Sequence, residues 1–293
     1  MNGKLTASKE TDDKAGGAGT VIVSRRIIVG LDTGFMAREA LMLAARVAAS
    51  VDARLSGIFV EDENLLGLSA LPFVQEISFS GETRPVDDAE MLRRLRAQAR
   101  IARHVLESVA KEAHVEFSFN IARGHKLAAL AAQTGADDTL IIRAHDLHRH
   151  DVGRAVRAAT RDARADVLLA GRGVAVSGSF AANPSQDSPH LAVSSRRPML
   201  AIDEGSSRGE ACVGFAESLA LRIGAPFRRL FARGFASADL AAAARKVHAG
   251  LVIVNADALG DDDDAARLSA AAGCPVLLLG SERKPILSRL SDG

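Results

Sequence analysis

The residues best placed to do chemistry are acidic, and they sit where apolar runs of strand length end. Residues 25–34, RRIIVGLDTG, pass through Ile27, Ile28, Val29 and Leu31 to Asp32 and a glycine, and a helical pattern follows at once. Residues 198–205, PMLAIDEG, repeat the arrangement at Asp203. A carboxylate at the end of a buried strand has two uses. It caps the next helix by accepting a backbone N–H, or it contacts a ligand in the crevice beyond the strand. Both uses stand open at Asp32 and at Asp203.

Four other polar groupings have both a chemical and a structural use. His145, His148 and His150 with Asp146 and Asp151 supply imidazole and carboxylate groups that suit zinc or nickel. Their spacing matches no familiar closed site, so this stretch reads as a solvated connection and no metal is expected. The aspartates at 261–264 have the charge to attract a divalent cation, but at a helix start they complement the helix dipole, which is the reading taken. Arg154, Arg157, Arg161 and Arg164 recur at helical spacing with Asp162 and Asp166 nearby and no aromatic side chains for stacking, as on an ordinary exposed face. Ser206, Ser207 and Cys212 have no histidine close in sequence, and Cys212 reads as a small packed side chain. No catalytic residue is assigned, and the chain is not expected to be an enzyme.

The elements that must position these groups alternate between strand and helix. In the first half, strands are expected near residues 25–31, 51–60, 115–121, 139–142 and 167–170, with helices between them. Crossovers of this length imply a parallel sheet with helices on both faces. Residues 64–88 interrupt the pattern with a long connection. It carries Leu65, Leu66, Leu68, Leu71, Phe73, Ile77 and Phe79, too apolar for a free loop, and reads as a packed cover, a ligand lid or a subunit contact. The second half repeats the first in letters as well as pattern. Ile121-Ala122-Arg123-Gly124 precedes a helix and the strand TLII, and Phe231-Ala232-Arg233-Gly234 precedes a helix and the strand LVIV. The second copy lacks room for the long connection, the long helix and one strand. The expected organisation is a disordered tail at 1–24, an α/β domain at 25–171, a linker at 172–197, an abbreviated α/β domain at 198–281 and a tail at 282–293.

Composition narrows the partners. The 293 residues carry a formal net charge of +1 with 25% charged residues, so no global field draws the chain to nucleic acid or to a membrane. No apolar run approaches the roughly 18 residues that span a bilayer. Two cysteines, far apart, suit a reducing compartment, and the cytoplasm is the expected location.

These motifs together resemble the universal stress protein family in tandem form. The resemblance rests on RRIIVGLD, the helix with Glu39-Ala40-Leu41, the strand entering Phe59-Val60, the step Ala122-Arg123-Gly124, and TLII. In the second half it rests on PMLAID, ARG, LVIV and CPVLLL. It implies two Rossmann-like (adenine nucleotide alpha hydrolase-like) open parallel sheets of strand order 3-2-1-4-5, flanked by helices. One branch of that family binds ATP, and on that mapping Asp32 lies beside adenine and ribose, Val60 near the base, and Gly124 and Gly153 along the crevice. The family's triphosphate loop has the form G-x2-G-x9-G-[ST], because only glycine lets backbone N–H groups approach phosphate closely. Here residues 143–151 contain no glycine, and Gly153-Arg154 stands where Gly-Ser or Gly-Thr is usual. In the second half, four aspartates follow Gly260, a repulsive setting for a triphosphate.

The expectation is therefore a non-enzymatic, stress-related regulatory module without a cofactor, whose partner is itself, as an intramolecular pseudo-dimer or a homodimer. Two alternatives remain. The Asp32 crevice binds adenine nucleotide without the glycine loop, with slow ATP hydrolysis as the associated activity, or the segment from Leu65 to Phe79 docks another protein.

Overall fold

Ile27, Val29 and Leu31 pack into one hydrophobic cluster and Ile28 into another, all of them buried, which is how a strand covered on both faces must behave. The computed structural model describes residues 26–31, 35–69, 71, 73–77, 80–85, 87–143, 149–170 and 197–280. The tails and nearly all of the expected linker lie outside these residues, as do Asp32, Phe79, His145 and His148.

In the first half the chain forms β1 (Arg26–Leu31), α1 (Phe35–Val51), β2 (Arg54–Asp62), α2 (Glu63–Ser69), a hairpin of β3 (Gln75–Ile77) and β4 (Thr83–Pro85), and α3 (Asp88–Glu112). It continues as β5 (Phe117–Gly124), α4 (Lys126–Ala132), β6 (Asp138–Arg143), α5 (Arg149–Arg157) running into a π-helical turn (Ala158–Asp162), and β7 (Asp166–Ala170). The second half contains β8 (Met199–Asp203), α6 (Ser207–Ile223), β9 (Phe227–Phe231), α7 (Ser237–Lys246), β10 (Leu251–Asn255), a 3-10 turn (Ala256–Ala258), α8 (Asp262–Ala272) and β11 (Val276–Leu279).

Among the described residues, all the strands except the hairpin belong to one sheet of nine, ordered β5-β2-β1-β6-β7-β11-β10-β8-β9. Neighbours are parallel at every step but one: β7 and β11 run antiparallel, with Val276 opposite Leu169 and Leu278 opposite Val167. The two half-sheets are thus joined edge to edge. The physical reason is the cost of a bare edge. Pairing β7 with β11 satisfies the N–H and C=O groups that each strand turns away from its parallel neighbour, and both strands are buried along their whole lengths. Counted outward from this seam, the strand order is the same on both sides, except that among the described residues β9 has no neighbour corresponding to β5.

The helices form two outer layers. Apolar residues of α1, α3 and α6 cover one face through Leu41, Leu106 and Phe215, and those of α4, α5, α7 and α8 cover the other through Leu130, Val152, Leu240 and Leu268. α3 starts with Asp87 accepting the Ala89 N–H at 3.0 Å, as the acidic residues there led one to expect. Among the described residues no helix is long and apolar enough to cross a membrane.

The long connection has more structure than its sequence indicates. It holds α2 and the β3-β4 hairpin, which is tied to α3 where Glu76 accepts from Arg84 and Arg94 at 2.9 and 2.7 Å. Arg94 thus joins α3 to the hairpin. Leu66 packs on the core, while Leu65, Leu71, Phe73 and Ile77 are exposed, Phe73 by 76%.

Candidate functional site: two crevices at the carboxyl ends of the strands

In an open α/β sheet a ligand sits beyond the carboxyl ends of the strands, where the strand order reverses. This sheet has two such points, between β1 and β6 and between β8 and β10.

At the first, the described residues bring Val60 and Gly124 to the same end of neighbouring strands. Val60 is opposite Ala122 and Asp62 is opposite Gly124. Gly124 has φ +141°, a backbone conformation closed to side chains, and it lets β5 turn directly into α4. Around it Arg123 donates to Glu61 at 3.0 Å, Asp62 accepts the Asn64 N–H at 2.9 Å, and the Asn64 amide lies 3.3 Å from His125 Nδ1. Asp32 is outside the described residues, as is the stretch 144–148 that follows β6. Gly153 does not open α5. The helix runs Arg149–Arg157, so Gly153 lies buried inside it, beside Val152.

The second crevice is described throughout, and its polar groups bind one another. Asp203, at the end of β8, has its side chain 2% exposed. One oxygen accepts the Gly205 N–H at 2.8 Å and the other accepts Arg229 Nε at 2.8 Å, with a second contact from the same guanidinium. The Arg229 guanidinium and the Gly205 amide together hold the Asp203 carboxyl below its usual pKa. Glu204 Oε1 accepts from Asn255 Nδ2 at 3.0 Å and from Ser206 Oγ at 2.8 Å. Its other oxygen is buried against Gly209, where an added Cβ would lie 2.4 Å from it. Ser206 also accepts the Gly209 N–H at 3.0 Å and so caps α6. Asn255 reaches back to accept the Asp257 N–H at 3.2 Å, and Asp257 pairs with Arg208 and, at 3.5 Å, with Arg161 from the first half. Asp203, Asn255, Ser206, Asp257 and Glu204 Oε1 thus have protein partners, while Glu204 Oε2 is buried without a hydrogen bond.

The remaining groups take structural parts. Asp264 accepts the Asp261 N–H at 3.1 Å and the Ser237 hydroxyl at 3.1 Å, and Arg267 pairs with Asp263 at 3.4 Å, so this acidic run caps α8 and is partly neutralised. Arg154 pairs with Asp151 at 2.6 Å. His150 is exposed, and among the described residues no group of three or more His, Cys, Asp or Glu is placed to hold a metal ion. Cys212 is fully buried, and desolvation raises its thiol pKa well above the normal range.

Sequence reasoning missed Arg229, Glu204 and Asn255. The signal for Arg229 lay in FRRLF, two arginines inside a strand otherwise apolar, since a charge in a sheet calls for a partner on the neighbouring strand. Glu204 lay next to the aspartate that drew attention.

Strand order and crevices define a doubly wound α/β protein with a doubled ligand-crevice plan. The same fold occurs in solved structures. The chain is similar to a universal stress protein from Archaeoglobus fulgidus DSM 4304, with a TM-score of 0.61 at 10% identity over 89% of this chain and 98% of that one. It is also similar to a functionally unknown protein from Pseudomonas aeruginosa PAO1, with a TM-score of 0.50 at 14% identity over 88% of this chain and 92% of that one. The chain has the universal stress protein fold. No family profile matches the sequence, and no curated protein matches it.

Proposed function

We propose that this chain is a universal-stress-type regulatory module that works without catalysis and without the usual ATP phosphate loop, its two halves acting as an internal pseudo-dimer. The observation that carries the reading is the pairing within the second crevice, where Asp203 and one oxygen of Glu204 are held by Arg229, Gly205, Asn255 and Ser206. A nucleotide entering there would have to break these bonds and meet the carboxylates of Asp203, Glu204 and Asp257 with its own negative charge. In the first half the stretch after β6 has no glycine to cradle phosphate. Both cysteines are free thiols, consistent with action in the cytoplasm. Thermal-shift titration of the purified chain with ATP, ADP and AMP tests the reading: it expects no change in melting temperature, and a saturable rise would overturn it.

A second reading, adenine nucleotide held in the first crevice at Asp32, has in its favour that Val60 and Gly124 stand together at one end of β2 and β5. Loss of the saturable rise in Asp32→Ala would assign any binding to that crevice. A protein-docking role for the segment from Leu65 to Phe79 is favoured by the exposure of Phe73 and Ile77, and deletion of that segment should then abolish partner capture while leaving the sheet folded.

A further inference from the structure

The second half has an open sheet edge. β9 pairs with β8 on one side and, among the described residues, with no strand on the other. Its counterpart in the first half, β2, has β5 along its outer side and α3 above it, and it buries Leu55, Ile58 and Phe59. Among the described residues no strand or helix covers the corresponding side of the second half: Phe231 is 59% exposed, with the Arg233 guanidinium 5.5 Å from its ring centre, and Leu221, near the end of α6, is 85% exposed.

The direction of the backbone groups on β9 determines what fits that edge. Pro226 accepts the Met199 N–H and Ala232 donates to the Asp203 carbonyl, so positions 226, 228, 230 and 232 turn their backbone groups toward β8. Alternation then turns the N–H and C=O of Phe227, Arg229 and Phe231 outward. These positions are symmetric about Arg229. An antiparallel strand of the same sequence, centred there, meets every outward donor with an acceptor and places Phe227 opposite Phe231 in both directions. Aromatic cross-strand pairs of this kind stabilise a sheet. On the other face Arg228 comes opposite Leu230 and lays its apolar stem across it. The self-opposed Arg229 would be repulsive if free, but Asp203 neutralises it within each copy. The chain already closes one pair of edges in this manner, at the β7-β11 seam.

We propose that the chain dimerises through β9, two copies pairing antiparallel about Arg229 so that the nine-stranded sheet continues into its partner. This surface is independent of whether either crevice takes a nucleotide.

Sedimentation velocity on the full chain tests it, together with residue-resolved amide exchange. The expected particle has twice the 30.7 kDa mass of the chain. The outward amides of Phe227, Arg229 and Phe231 should exchange about tenfold or more slowly than in the variant Phe231→Lys, which should sediment as a monomer. Arg228 and Leu230, bonded to β8, should be protected in both. Phe231 is an exposed edge residue, so the variant should keep the wild-type far-UV spectrum, and the wild-type exchange pattern is informative without any variant. A monomeric wild-type chain would overturn the proposal, and so would a dimer that survives Phe231→Lys with the three outward amides exchanging freely.

Discussion

Asp203 and Arg229 form a two-point ion pair between β8 and β9, with the carboxylate buried, the guanidinium half-exposed and an Nε to Oδ2 distance of 2.8 Å. The pair lies on the position from which a ligand in this fold would be addressed, and it converts that position into part of the sheet's own framework. Arg229→Met would leave the buried carboxylate with the Gly205 amide as its remaining described partner. It should lower stability by about 1–3 kcal/mol, measured by urea unfolding at pH 7.

The same pair sets a pH dependence. The Asp203 carboxyl is held below its usual value, chiefly by Arg229, so its contribution is fully present above the unfolded-state pKa of about 4 and is lost as pH falls through the lower folded value. Unfolding midpoints should therefore fall on acidification below about pH 4, and Arg229→Met should flatten that part of the profile. Parallel curves for the two proteins would show that Asp203 is not the group responsible.

The β7-β11 seam should make both halves unfold together. Gly280 follows β11, its N–H donates to Asp166 at 3.0 Å, and a Cβ there would lie 2.5 Å from the Ala165 carbonyl and 2.6 Å from that of Arg164. Backbone atoms cannot step aside as a side chain does, so Gly280→Ala should cost about 1–3 kcal/mol. Calorimetry should show one transition in the parent and one, at lower temperature, in the variant. Two separated transitions would mean that the seam does not couple the halves.

Gly209→Ala separates a local preference from a local clash. Alanine improves helix propensity by up to about 1 kcal/mol, but its Cβ would meet Glu204 Oε2 at 2.4 Å and the Glu204 backbone nitrogen at 3.0 Å. Displacing the carboxylate also strips Asn255 and Ser206 of their acceptor. A net loss of about 1–3 kcal/mol is expected, and most of it should vanish in the Glu204→Ala background.

Neither thiol should react in the native protein. Burial pushes Cys274 up to about 11 and Cys212 higher still, and both side chains are buried. A thiol reagent at pH 8 should leave both unmodified until denaturant is added. Rapid labelling of one would show that its helix or strand opens readily.

Much of the architecture was legible because it rests on local pattern. The acidic start of α3 and the apolar runs of β1, β6, β7, β10 and β11 are properties of short windows. Asp203 was legible as a position but not in its use, because its partner Arg229 is supplied by the next strand, 26 residues on. The seam was hidden for the same reason: nothing in the letters of β7 says which edge it meets. α2 and the hairpin were missed because Gly67 and the short polar interruptions of residues 75–85 break every helical or alternating run before it becomes recognisable. Gly153, which the resemblance mapped to the crevice, stands within α5 rather than at its first residue.

The chain contains no Trp and no Tyr, so its own absorbance leaves 260 nm nearly clear for a bound base. The central claim, a regulatory module that holds no nucleotide, is tested most directly by denaturing freshly purified protein and measuring the spectrum and masses of what it releases. The account predicts no adenine nucleotide in the supernatant. Recovery of ATP, ADP or AMP in a one-to-one ratio with the chain, lost in Asp32→Ala, would contradict it and assign the nucleotide to the first crevice.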